Sequence, residues 1–134
     1  MTIAYAREDD LGATEFIQVL RRSGLAERRP VDDAARIATM LAHANLIVTA
    51  REAGRLVGVS RALSDFSYCC YLSDLAVDRA CQRRGIGRAL IEETRREAGP
   101  NSMCLLISAP DAMAFYRAIG MPQSASAFLY PRQQ

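Results

Sequence analysis

Lysine is absent from this 134-residue chain and histidine occurs once, so several kinds of site are excluded at the outset. All 17 basic residues are arginine, which excludes a Walker A phosphate loop because that loop requires Gly-Lys followed by Ser or Thr. The four cysteines include no Cys-x-x-Cys pair, and the single histidine, His43, lies far from them in sequence. We therefore expect reduced, buried thiols and no metal site.

Long apolar runs are also missing. No stretch approaches the ~20 apolar residues of a membrane-spanning helix, and residues 1–10 lack the apolar core of a secretory signal. The formal net charge of +2 is too small to indicate nucleic-acid binding. Hydrophobic residues make up 50% of the chain and charged residues 24%, an ordinary globular composition. These features predict one cytoplasmic domain over residues 1–134, with neither a membrane nor a nucleic acid as partner.

Apolar periodicity and turn residues predict a mixed α/β chain with the element order βααβββαβαβ. The predicted strands cover residues 3–7, 46–51, 56–63, 68–77, 103–108 and 125–130. The predicted helices begin after a cap at Asp9 or Asp10, after a cap at Asp32, at Gly85 and at Pro110. Helices that alternate with hairpins and crossovers favour a layered structure of helices on a sheet.

The most informative segment is Gln-Arg-Arg-Gly-Ile-Gly-Arg-Ala at residues 82–89, between a predicted strand and a predicted helix. The first amides of a helix have no partner within it, and the helix dipole makes that end positive. Gly85 and Gly87 let backbone N–H groups approach phosphate oxygens, and the arginines add forked donors. This layout predicts a site for a phosphorylated ligand.

Two classes of phosphorylated ligand fit this segment poorly. The missing lysine disfavours a nucleoside triphosphate held by a Walker A loop. An NAD-type dinucleotide fingerprint requires a third glycine, where Leu90 stands, and an acidic residue after the next strand, where only Asp111 is near. Coenzyme A is the third class.

At residues 82–87 the sequence resembles the signature Gln/Arg-x-x-Gly-x-Gly/Ala of the GNAT acyltransferase superfamily. Asp-Leu-Ala-Val at residues 74–77 is similar to the family's fourth strand, and residues 114–121 are similar to its late helix. The element order also matches, so the resemblance covers nearly the whole chain. It implies the GNAT fold: a mixed, mostly antiparallel central sheet with splayed fourth and fifth strands and helices on both faces.

The resemblance implies an N-acetyltransferase that moves an acetyl group from acetyl-CoA directly to a primary amine of a small molecule or peptide. The pyrophosphate of acetyl-CoA is expected at residues 82–89 and its pantetheine arm along the backbone of residues 75–77. The implied cofactor-binding residues are Leu75, Ala76, Val77, Gln82, Arg83, Arg84, Gly85, Ile86, Gly87, Arg88 and Ala89.

Two side chains are candidates for acid–base chemistry. Tyr116 is implied as the general acid that protonates the departing thiolate of coenzyme A; the alternative is an aromatic ring that only packs on the sheet. Asp74 is the candidate base, because an amine with a pKa near ~10.4 is mostly protonated at neutral pH. Its alternative is a strand-end carboxylate paired with an arginine or with backbone amides. Glu15, Glu52 and Asp65 are weaker candidates for the base.

The chain departs from the family at Ala109, where an Asn that contacts the cofactor is common. A non-catalytic acetyl-CoA-binding regulatory or interaction module is therefore an alternative function, because it needs the phosphate loop but not Tyr116. The pair Arg28 and Arg29 is a candidate for the acceptor entrance. The resemblance is also compatible with a homodimer that pairs through sheet edges or the last strands.

Overall fold

The computed structural model describes residues 2–133, which form one five-stranded sheet and four α-helices joined by short 3₁₀ turns. The strands are β1 (Ile3–Arg7), β2 (Leu46–Glu52), β3 (Arg55–Ser64), β4 (Cys69–Val77) and β5 (Met103–Leu105). The α-helices are α1 (Ala13–Ser23), α2 (Ala34–His43), α3 (Ile86–Ala98) and α4 (Met113–Ala118). In this part of the chain no helix has both the length and the apolar character needed to cross a membrane.

The strands lie in sequence order, β1-β2-β3-β4-β5, and this order confirms the expected mixed, mostly antiparallel sheet. The first three neighbouring pairs are antiparallel, and β4 and β5 are parallel. Ala53 and Gly54 form the tight turn between β2 and β3 with φ values of 51° and 82°. Positive φ at both central residues is the geometry that joins twisted antiparallel strands with two residues, so the predicted hairpin at residues 53–54 is confirmed.

The expected splay between the fourth and fifth strands is also present. The β4–β5 ladder contains three residue pairs and ends where Tyr71 pairs with Leu105. Beyond that point β4 continues to Val77, while residues 106–109 leave the sheet. The predicted strand at 103–108 is therefore too long. The apolar run at residues 103–108 indicated burial, and Leu106 does pack against the core. A buried residue need not pair with a neighbouring strand, so the run overestimated the length of β5.

Helices cover both faces of the sheet, as expected. On one face, Phe16 and Leu20 of α1 and Ile37 of α2 pack against side chains that include Ile47 and Val59. On the other face, α3 packs against a separate set of strand residues. The buried residues of that second layer include Leu46, Val48, Val57, Ile86, Leu90 and Ile91. Successive strand residues point to opposite faces, so β2 contributes buried side chains to both layers. Its sequence is therefore an uninterrupted apolar run.

The predicted last strand at residues 125–130 is wrong. Within the described chain, residues after Ala118 form no strand, and the side chains of Phe128 and Tyr130 are almost fully exposed. The three large apolar residues there, Phe128, Leu129 and Tyr130, form a run too short for its pattern alone to separate a buried strand from an exposed segment.

The predicted helix caps are shifted. Asp33, not Asp32, caps α2 by accepting the Arg36 backbone N–H at 3.0 Å. Helix α1 begins after Gly12 with no side-chain cap among the described residues. Asp9 instead accepts the backbone N–H of Ile47 at 2.9 Å, which joins the end of β1 to β2. The aspartate at residues 9–10 therefore indicated the correct region for the start of α1. The Asp9 carboxylate, however, accepts a hydrogen bond from a strand backbone N–H and not from the helix.

The four cysteines are free thiols, and their burial varies. Cys69 and Cys70 point to opposite faces of β4, as their adjacency predicts, so Cys69 is exposed and Cys70 buried. Cys81 is buried and Cys104 is half-buried. The expectation of buried thiols is thus confirmed for Cys70 and Cys81 and wrong for Cys69.

A partly buried ion cluster joins the residue that follows β1 to β2 and α1. Arg51 donates to Glu8 at 2.9 and 3.0 Å and to Glu15 at 2.7 and 3.0 Å, and Thr49 also donates to Glu8. The hydrogen bonds from Arg51 hold the pKa of both carboxyls below their usual range. A lowered folded-state pKa means that this stabilisation is present above the unfolded pKa and is lost as pH falls through the folded pKa.

We expect the Glu8→Gln variant to lose part of the acid dependence of folding stability. The free energy of unfolding of the native chain should fall as pH drops below the ordinary glutamate pKa of ~4.3, and the variant should fall less. Urea unfolding at several pH values from neutrality downward measures this slope. Glu92→Gln is the control, because Glu92 is 61% exposed and pairs only along its own helix. Equal slopes in Glu8→Gln and the native chain would contradict the assignment.

Candidate active site

The segment between β4 and α3 forms a tight, internally bonded loop. The Asp78 carboxylate accepts the Ala80 backbone N–H at 2.9 Å, and the Gln82 side-chain amide donates to the Val77 carbonyl at 3.2 Å. Gly85 precedes α3 in the left-handed conformation, with φ of 79°, and no side chain among the described residues caps this helix. The amides of the first turn of α3 are therefore open to an anion, at the positive end of a 13-residue helix.

The arginines of this loop differ in their contacts. Arg84 pairs with Glu52 of β2 at 2.6 Å, so its guanidinium is held toward the sheet. Arg88 pairs with Glu92 one turn along α3 at 3.2 Å, and both side chains are exposed. Arg83 is exposed and has a positive φ of 66°. Of the three, Arg84 is the least available for a phosphate, and all three stay predicted cofactor ligands.

Gly87 brings the loop into contact with α4. A Cβ atom at this position would lie 2.8 Å from Cζ of Phe115, which is closer than real Cβ contacts. Phe115 in turn packs edge-to-face on Tyr116, with ring centroids 5.1 Å apart. Ile86 is buried in the core layer beneath α3. The glycine therefore allows α4, and Tyr116 with it, to sit against the first turn of α3.

A cavity of about 750 Å³ occupies the region where β4 and the chain after β5 diverge. Its walls are formed by one side of β4, by the chain after β5 and by α4. The lining residues from these three segments include Leu72, Ser73, Leu75, Leu106, Ser108 and Tyr116. The backbone N–H of Asp78 donates to Val57 of β3 at 2.8 Å. Because strand backbone groups alternate in direction, the N–H groups of Leu75 and Val77 point to the opposite, open side. Ala76 points its side chain into the core.

Tyr116 borders this cavity and also packs against the core layer beneath α3. Both alternatives from the sequence therefore describe part of its environment. Burial raises the pKa of the Tyr116 phenol, and the nearby Arg29 guanidinium opposes that rise. The phenol is thus protonated at neutral pH and lies beside a cation that favours its phenolate, as a proton donor requires.

Asp74 lies in an environment unlike that of a general base. Its side chain is fully buried, and its two oxygens accept from Nε of Arg29 and from Nε of Arg61. Arg29 also donates to the Ser73 carbonyl at 2.9 Å, and Arg61 to the Ser73 hydroxyl at 3.0 Å. Both oxygens of the carboxylate are thus engaged by arginine donors and do not face the cavity as a free acceptor. This geometry favours the alternative of an arginine-paired strand carboxylate.

The weaker base candidates are also engaged in structural contacts. Glu15 belongs to the Arg51 cluster, and Glu52 holds Arg84. Asp65 accepts the backbone N–H groups of the three residues Ser67, Tyr68 and Cys69 at 2.7–3.0 Å. Those hydrogen bonds hold the pKa of Asp65 well below its usual range. Its carboxylate closes the turn before β4.

Sequence reasoning missed three cavity-lining arginines: Arg36 on α2, Arg61 on β3 and Arg132 near the end of the chain. A signal was available for Arg61, because an arginine in the middle of the apolar β3 run is rarely buried without a partner. The sequence held no comparable signal for the other two, whose position depends on how α2 and the last residues lie over the sheet.

Comparison with known proteins gives one family. The family model described as an acetyltransferase (GNAT) domain matches residues 18–128. No curated protein matches the sequence.

Several solved structures share the architecture at low sequence identity. A GNAT family acetyltransferase from Streptococcus pneumoniae is 17% identical, with a TM-score of 0.72 over 99% of this chain and 100% of that one. A probable acetyltransferase from methicillin-resistant Staphylococcus aureus is 18% identical, with a TM-score of 0.78 over 98% and 99%. An aminoglycoside N-acetyltransferase in complex with CoA is 16% identical, with a TM-score of 0.73 over 99% and 96%. At these identities the likeness shows the fold alone.

Proposed function

Since the chain belongs to the GNAT acetyltransferase family, we propose that it transfers an acetyl group from acetyl-CoA directly to a primary amine. The observation that carries the proposal is a juxtaposition. The open side of β4 and Tyr116 border one cavity, and the uncapped first turn of α3 packs through Gly87 against Phe115, the neighbour of Tyr116. A structural neighbour that binds CoA supports the choice of donor.

The loop and β4 would hold the donor in two places. The amides that follow Gly85 would bind its pyrophosphate, and Arg83 and Arg88 would add positive charge at the surface. The open N–H groups of Leu75 and Val77 would pair with the amide-containing pantetheine arm as an added strand does. Ala109 provides no side-chain amide for the cofactor, so these backbone contacts carry more of the binding in this chain.

Tyr116 would act as the general acid. The donor supplies a thioester whose carbonyl carbon is attacked by the neutral amine, so a C–N bond forms and the C–S bond breaks. The phenol of Tyr116 gives its proton to the sulfur, and Arg29 stabilises the phenolate that results. The proton that the amine loses leaves through water in the cleft, because Asp74 is occupied by its two arginines. We therefore assign Asp74 to positioning Arg29.

Calorimetric titration of acetyl-CoA, beside desulfo-coenzyme A, NAD and ATP, tests this proposal first. We expect micromolar binding of the two coenzyme A compounds and none of NAD or ATP. An amine panel follows, with the acetylated product detected by mass, because the chain's own thiols interfere with a thiol assay. The lack of lysine limits self-acetylation as a source of signal.

The outcomes separate the alternatives. If no coenzyme A compound binds, the transferase proposal is withdrawn. Binding without turnover of any amine would favour the non-catalytic acetyl-CoA-binding module, the function that Ala109 leaves open.

A further inference from the structure

The cleft beside Tyr116 is strongly cationic. Five arginines line it: Arg28, Arg29, Arg36, Arg61 and Arg132. Glu27 is the single acidic residue in the described lining. These side chains come from the α1–α2 connection, the first turn of α2, β3 and the end of the chain, so the charge surrounds the cleft.

The inner part of this cleft retains positive charge after its own ion pairs are formed. Arg29 and Arg61 share one carboxylate, that of Asp74. One carboxylate balances one guanidinium, so a net positive charge remains at a site where Arg61 is buried and water screens little. The field of this pair therefore extends toward Tyr116.

The outer arginines are not neutralised either. Within residues 2–133, the side chains of Arg28, Arg36 and Arg132 make no ion pair, although all three are exposed. Some other exposed arginines, such as Arg83 and Arg117, also lack an ion pair among the described residues, but Arg28, Arg36 and Arg132 lie together around one cavity. Arginines without partners at the mouth of a cavity are suited to an anion, because the planar guanidinium donates two parallel hydrogen bonds to a carboxylate or phosphate.

We propose that the acceptor is a primary amine that also carries a carboxylate or phosphate, held by Arg28, Arg36 and Arg132. This inference rests on the proposed transferase activity and specifies its substrate class. A polycationic acceptor is disfavoured, because desolvating like charges beside one another opposes binding. The chain thus differs in acceptor from the structural neighbours named as aminoglycoside acetyltransferases.

Matched amines test this charge preference at saturating acetyl-CoA. β-Alanine and its amide differ only in the carboxylate, and phosphoethanolamine and ethanolamine differ only in the phosphate. A polycationic aminosugar completes the panel. We expect kcat/KM for the amine that carries the carboxylate or phosphate to exceed that of its partner without this group by about tenfold or more, and the aminosugar to be the poorest substrate. The better of the two anionic amines identifies the acidic group.

Single arginine variants locate the preference. The variants to compare are Arg28→Gln, Arg36→Gln and Arg132→Gln. Each should lower the native preference for the amine that carries the anionic group by about threefold or more, mainly by raising KM for that amine. Arg96→Gln is the matched control, because Arg96 lies on α3 and pairs with Glu93 at 2.7 Å. It should keep the native ratio.

The failures are distinguishable. If acetyl-CoA binds and neutral or polycationic amines react as fast as anionic ones, the charge inference is overturned and the transferase proposal stands. If acetyl-CoA does not bind, the transferase proposal fails first. If it binds but no amine reacts, titration of β-alanine and its amide into the protein–CoA complex decides. Equal binding of the two would overturn the inference.

Discussion

Replacing Tyr116 with phenylalanine is expected to lower kcat by about 10²–10⁴-fold while leaving acetyl-CoA affinity within about twofold. The ring of the variant keeps its edge-to-face contact with Phe115 and its place in the core. Only the phenolic proton is lost, so the departing thiolate must leave unprotonated. The amount of acetylated product formed at fixed times gives kcat, and calorimetric titration gives the affinity for acetyl-CoA. The two measurements together separate the chemical step from binding.

Tyr71→Phe is the matched control for this experiment. Tyr71 lines the same cavity and undergoes the same chemical change, but it lies at the end of the β4–β5 ladder. We expect its kcat to stay within about threefold of the native value, the range of an ordinary surface change. If Tyr71→Phe loses turnover and Tyr116→Phe does not, the assignment of the acid is wrong.

The pH dependence of turnover gives a second reading of Tyr116. A general acid is effective only while protonated, so activity should fall as pH rises through its pKa. Burial raises that pKa above the usual tyrosine value, so the fall should come late, above pH ~10.

Asp74→Asn is expected to destabilise the folded chain by about 3–5 kcal/mol, the cost of removing one partner from a buried ion pair. The amide cannot balance Arg29 and Arg61, and Arg61 is 7% exposed, so its charge would be left without compensation in the interior. Urea unfolding of the variant and the native chain, compared at equal m-value, measures the difference.

Two comparisons make this prediction decisive. Glu92→Gln removes a carboxylate from an exposed helical pair and should change the free energy of unfolding by no more than about 0.5 kcal/mol. If Asp74→Asn instead keeps native stability and loses only kcat, with the loss greatest for amines of high pKa, then Asp74 is the base and not a positioning residue.

The sequence was sufficient for the turn and the loop whose geometry depends only on neighbours in the chain. The turn at residues 53–54 requires positive φ at consecutive positions, and Gly54 supplies one of them without strain. The phosphate loop is likewise a local strand–turn–glycine–helix pattern, so its glycines and the start of α3 at Ile86 could be placed within one residue. Together with the late-helix segment around Tyr116, these local patterns were enough to indicate the family and its splayed sheet.

Tertiary structure decided the features that depend on residues far apart in sequence. The two partners of Asp74 lie 45 and 13 residues away, and their approach turned a candidate base into a buried, paired carboxylate. The apolar runs at residues 103–108 and 128–130 have similar sequence patterns. The first pairs in part with β4, whereas the side chains of the second are exposed. The arginines that ring the cleft come from four parts of the chain. Hydrophobicity and propensity describe each residue's own preference, whereas burial, charge balance and acceptor selectivity arise only when distant segments are brought together.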